Sequence, residues 1–111
     1  MEITVRREPS FVIVDLAGEI DVNAVSRIRD TLGDLTKAAS AQILVNLSRA
    51  TYIDSSGLGI LMAARKETLQ RGGRLVLCGM AKDVRMVFQL TRLDKFLEIY
   101  DDEAQARARL S

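Results

Sequence analysis

The chain has 111 residues, 48% of them hydrophobic and 28% charged, and its sixteen basic and fifteen acidic side chains leave a net charge of +1. That is the size and make-up of one domain able to bury its own core, and with no block of either sign it excludes nucleic acid or an acidic membrane as an expected partner. The single cysteine, Cys78, excludes an internal disulfide or a multi-cysteine zinc site and suits a cytoplasmic protein.

Met1 to Arg7 alternates polar and apolar residues, so neither a signal peptide nor a membrane span is expected there. Ile3 and Val5, the turn Glu8-Pro9-Ser10 and the run Phe11 to Ala17 predict two strands joined by a tight turn. Gly18 is expected to end the second. After a connection over Glu19 to Asn23, the spacing of Val25, Ile28, Leu32 and Leu35 predicts a helix to about Ala39, capped by Asp21 or Asn23. Gly33 inside it, at roughly 1 kcal/mol relative to alanine, suggests close packing against a neighbour.

Ile43 to Leu47 reads as a central strand covered on both faces. The octapeptide Tyr52-Ile53-Asp54-Ser55-Ser56-Gly57-Leu58-Gly59 follows, where a strand hands over to a helix. Leu58, Leu61, Met62 and Leu69, widened by Ile60 and Ala64, predict that helix to about Arg71, with Gly72 and Gly73 stopping it. Arg65 falls inside the apolar arc, either snorkelling or facing a partner. Leu75 to Cys78 is a further buried strand, with Cys78 as plain core. Val84, Val87, Phe88 and Thr91 mark a third helix, Phe96 to Tyr100 a short strand, and Ala104 to Leu110 a final helix opened by Asp101 to Glu103. Met62, Met80 and Met86 read as core or half-buried fillers. The order is that of an α/β domain: a mixed, mostly parallel sheet of about four to five strands with about four helices, the N-terminal hairpin antiparallel and the later strands joined by right-handed crossovers.

With no histidine, the usual base for a serine nucleophile and the commonest metal ligand are both missing. A Ser-Lys pair through Lys66, Lys82 or Lys95 is formally open, yet no spacing favours it, so the expectation is no enzyme, no metal and no cofactor. Walker and dinucleotide fingerprints are absent as well, because Gly57 and Gly59 follow the hydroxyls and have no third member. The octapeptide has a logic of its own. A helix beginning near Ser56 presents free backbone donors and about half a positive charge, and Gly57 and Gly59 let another chain come close. Ser55 and Ser56 are hydroxyls a kinase would reach, with Asp54 placed to orient the loop. Equally open, on these residues alone, is that one serine caps the helix and the glycines serve packing.

Gly18-Glu19-Ile20-Asp21 before the first helix, the octapeptide before the second and Gly72-Gly73 before the next strand together resemble the anti-sigma factor antagonists of the STAS domain family. The similarity runs from about Ile3 to Tyr100. Val87 to Leu93 resembles a further family segment but has Gln89 and Arg92 where an acid and a glycine are usual. The resemblance implies a single bacterial STAS domain over residues 1–111, with its core at about 3–100 and a C-terminal helix at about 102–110. It implies Ser55 as the phosphate acceptor, with Ser56 as second choice, and Asp21, Asn23, Asp54, Ser55, Ser56, Gly57, Leu58 and Gly59 as the partner-binding set. The implied partners are an anti-sigma factor that is also a serine kinase and a PP2C-type phosphatase; monomer and weak dimer both stay open. A phosphate would add about −1.5 to −2 charges at a helix start that tolerates anions, so binding is expected to fall while the fold survives. The competing expectations are a phosphorylation-independent STAS scaffold and, more remotely, a nucleotide or phosphate holder.

Overall fold

The computed structural model describes residues 1–110. Strands β3 (Gln42–Asn46) and β5 (Arg74–Cys78) carry unbroken apolar runs, Ile43 to Val45 and Leu75 to Cys78, because both of their faces are covered. Ile43, Val45, Leu75 and Leu77 face a large core shared with three helices. Leu44, Val76 and Cys78 face the opposite side, with Phe11, Ile13, Ala106 and Leu110. Around this centre lie β1 (Glu2–Arg7), β2 (Val12–Ile20) and β6 (Glu98–Tyr100), in the order β1-β2-β3-β5-β6. β1 runs antiparallel to β2 and the remaining pairs are parallel.

A sixth strand, β4 (Ala50–Ile53), pairs in parallel with the end of β2. Sequence patterning places no strand there, because only Ala50 and Ile53 are buried while Thr51 and Tyr52 are exposed, and four residues show no alternation. Nor does Gly18 end β2. It takes φ +105° at a register shift, and the strand continues past it to Ile20 on the new partner β4. A bulge that turns the strand without ending it is what a glycine with positive φ allows.

Helices α1 (Val25–Thr36), α2 (Ser55–Gln70) and α3 (Lys82–Leu90) cover one face and α4 (Glu103–Leu110) the other. α1 is one turn shorter than its spacing suggests, and Ala24, not Asp21 or Asn23, stands at its N-cap without a side-chain bond. A Cβ on Gly33 would meet nothing within 4 Å, so this glycine serves no close packing. On α2 the buried position is Thr68, whose hydroxyl donates to the Ala64 carbonyl at 2.7 Å, whereas Leu69 is exposed. Satisfying that hydroxyl inside the helix is what lets a polar residue displace the expected leucine. Arg65 is half-buried. Gly72 at φ +78° reverses the chain after α2, and Gly73 lies against Ala41. Met80 is buried and Met62 half-buried, but Met86 is exposed on the outer side of α3.

α4 is docked by Ala106 and Leu110 beneath it and by a network of charges at its start. Arg6 on β1 forks onto Asp15 of β2, at 2.6 and 2.8 Å, and reaches Glu103 at the start of α4. Glu103 also accepts from Asn46 at 2.9 Å and from Arg107 at 3.0 Å, and Arg107 reaches Glu8 at 2.8 Å and stacks over the Phe11 ring. These bonds hold the Glu103 carboxyl down to about 2, with Arg6 the largest cause. Beneath the helix, Cys78 is buried and its thiol is pushed up to about 12, mainly by that burial, so it is packing and not a nucleophile.

Candidate functional site

The parallel pairing of β2 with β4 sets Ile20 opposite Ile53 and Glu19 opposite Tyr52. The two chains leave the sheet side by side, and the Asp54 N–H donates to the Ile20 carbonyl at 3.3 Å. Beyond Ile20, the residues Asp21 to Ala24 form a tight turn. The Ala24 N–H donates to the Asp21 carbonyl at 3.0 Å, and the Asn23 N–H to the Asp21 carboxylate at 3.0 Å. Asp21 therefore braces its own loop instead of capping α1, a use of aspartate common in turns. The motif at Gly18 to Asp21 and the octapeptide, thirty residues apart in sequence, are thus one surface.

Beyond Ile53, α2 begins with Asp54 as N-cap in extended geometry. Its carboxylate accepts from the Gly57 N–H at 3.1 Å and from the Ser56 hydroxyl at 2.5 Å. Both bonds, the Ser56 hydroxyl first, hold the Asp54 carboxyl below the ordinary aspartate range. The cap is the acid and neither serine. Because Asp54 already fills part of the first turn with negative charge, the helix start does not present the free set of donors that the sequence suggests, and an anionic ligand has less to hold.

The two hydroxyls consequently differ. Ser56 is half-buried and committed to Asp54. Ser55, the first residue of α2, is exposed, and its hydroxyl has no hydrogen bond among the described residues. Gly57 and Leu58 are buried against the chain's own core, with Gly57 set on Ile20 and Ile53. They position the helix and present little surface of their own. Gly59 is exposed and open, as is Asn23, while Asp21 and Asp54 are half-exposed. Two exposed apolar side chains outside the expected partner-binding set stand beside this group: Val22, 69% exposed at the corner of the turn, and Tyr52, 49% exposed on β4. An apolar residue between Asp21 and Asn23 was the available signal for the first.

A mixed sheet with three helices on one face and one on the other, and a serine-bearing helix start beside the end of its second strand, is a STAS-type α/β domain. The chain belongs to the STAS domain family, whose model matches residues 2–106. Over 111 residues it is 27% identical to the anti-sigma F factor antagonist of Paenibacillus polymyxa, covering 99% of this chain and 95% of that one. It is 28% identical over 99 residues to the anti-sigma-B factor antagonist of Listeria monocytogenes, covering 89% and 87%. The anti-sigma factor antagonist SpoIIAA in its unphosphorylated form is similar with a TM-score of 0.73 at 27% identity, covering 97% of this chain and 98% of that one. In its phosphorylated form this Bacillus protein gives a TM-score of 0.75 at 26% identity, covering 99% and 100%.

Proposed function

We propose that this chain is an anti-sigma factor antagonist: a cytoplasmic, non-enzymatic switch that in its unmodified form binds an anti-sigma factor with serine kinase activity and so releases a sigma factor. The whole chain acts as one STAS domain. The observation that carries the reading is the difference between the two serines, one exposed and uncommitted on the first turn of α2 and the other bonded to the cap. Ser55 is the acceptor. Its Oγ attacks the γ-phosphorus of ATP, the new O–P bond forms as ADP departs, and the hydroxyl proton passes to a base of the kinase. Ser56 would first have to surrender its bond to Asp54. A PP2C-type phosphatase hydrolyses the ester and restores the unmodified form.

The phosphate switches binding and leaves the fold in place. It adds about −1.5 to −2 charges on an exposed side chain in the first turn of α2, outside the packed core. SpoIIAA in phosphorylated and unphosphorylated forms is similar to this chain to nearly the same degree, which supports a fold that accommodates the group. At an interface the added charge must be desolvated close to the ionised Asp54, a cost that reaches several kcal/mol when no cation is supplied. Intact-mass measurement after incubation with the cognate kinase and ATP tests the assignment: the wild type gains one phosphate and Ser55→Ala gains none. Equal uptake by both would move the acceptor to Ser56. No uptake by either would leave a phosphorylation-independent scaffold.

A further inference from the structure

Resting on that function, we infer that Val22 and Tyr52 are the anchors by which the anti-sigma factor kinase holds this protein, and that they set its affinity and choice of partner while Ser55 sets the timing. Val22 occupies the first corner of the turn Asp21 to Ala24, which is closed by two hydrogen bonds, and it is 69% exposed there. Turn corners are ordinarily polar, so an apolar side chain on a braced corner is presented at little further entropic cost on binding. Tyr52 is 49% exposed on a strand pinned to β2, level with Glu19. Tyrosine is among the residues that dominate interface energetics.

The register places both beside the acceptor. Val22 lies two residues past Ile20 and Ser55 two past its partner Ile53, on chains that leave the sheet together, and Tyr52 immediately precedes Ile53. A kinase that engages Ser55 therefore approaches the edge of the sheet that carries both. The carboxylates nearby have less to offer, since Asp21 is engaged by the Asn23 N–H and Asp54 by Ser56 and Gly57. The occupant is therefore a protein kinase with an apolar recess beside its catalytic cleft.

The test uses the full chain against each anti-sigma factor kinase of the same genome, loaded with ADP, by titration calorimetry. The wild type binds one of them, and Val22→Ala and Tyr52→Ala each weaken that binding about tenfold or more. Leu90→Ala, which removes a side chain 78% exposed on α3, serves as the control and leaves binding unchanged. Melting temperatures stay at the wild-type value. In phosphorylation assays the half-saturating kinase concentration rises by the same factor while the rate at saturation holds, a split that a merely structural defect would not produce. If the wild type binds but both variants bind equally well, the anchors are overturned and the switch stands. Failure of the wild type to bind any of the kinases would overturn the switch and the anchors together. Self-association of the wild type abolished by either variant would assign the surface to a second copy of the chain and likewise overturn the inference.

Discussion

Replacing Gly57 by alanine separates two opposing effects of known size. An alanine favours a helix by about 1 kcal/mol over glycine. At this position, however, its Cβ would stand 2.5 Å from the Ile20 carbonyl oxygen, 2.7 Å from Ile20 Cγ2 and 2.9 Å from Ile53 Cγ1. The first of these is backbone and the others belong to buried β-branched residues, so none of the three yields readily. Overpacking of this kind costs about 3 kcal/mol, the upper end of its usual range. The net expectation is a loss of about 2 kcal/mol, equivalent to a fall in Tm of roughly 8 °C for a chain of this length. Gly59→Ala, two residues further along the same helix, supplies the internal control. Nothing lies within 4 Å of its added Cβ, so it should gain about 0.5–1 kcal/mol. Urea denaturation followed by far-UV circular dichroism measures both. A Gly57→Ala variant as stable as the wild type would refute the claim that α2 is seated directly on the end of β2.

Arg92 follows α3 in the left-handed region at φ +62°, so Arg92→Gly should raise stability by about 0.5–1 kcal/mol, the relief of a non-glycine there less the entropy that glycine adds to the unfolded chain. Arg92→Ala should give no such gain, and equal effects in urea denaturation would show that backbone geometry is not the cause. Glu103, held down to about 2 chiefly by Arg6, has a folded pKa below its unfolded one, so its contribution is full above about pH 4.5 and is lost as pH falls toward 2. Thermal melts across that window should fall more steeply for the wild type than for Glu103→Gln, with about 1–2 kcal/mol between them at neutral pH after allowance for partial solvent screening; parallel curves would mean that the network does not couple α4 to protonation.

The parts of the fold that sequence reading captures are those with a long enough pattern. β3, β5 and the inward faces of α1 and α3 carry apolar residues at the spacing their geometry demands, and Ile28, Leu32, Val84 and Phe88 all lie in the core. β4 escapes because only its two ends are buried, and Gly18 misleads because the same residue type ends strands and bends them. Thr68 takes the buried place expected of Leu69 because the threonine satisfies its hydroxyl within the helix, a local bond that hydropathy does not register. At the site, the octapeptide marks the helix start correctly, yet composition cannot divide the labour among Asp54, Ser55 and Ser56. That division depends on where the cap carboxylate points, which follows from the pairing of β4 with β2.

That pairing begins at Gly18, whose positive φ bends the strand at the register shift. Up to Asp15, β2 pairs with β3; from Gly18, opposite Ala50, it pairs with β4, and the register shifts between Gly18 and Glu19. A β2 that ended at the bulge would leave Ile20 without a strand to stand on, the Asp54 N–H without its acceptor and α2 without the surface that Gly57 rests against. The turn at Asp21 to Ala24 would then have no fixed position relative to Ser55. One glycine with positive φ thus joins two stretches of chain that are distant in sequence into a single rigid edge. On the proposed function, a charge on Ser55 would therefore act on whatever approaches from outside, because Gly57 behind it is packed directly against Ile20 and Ile53.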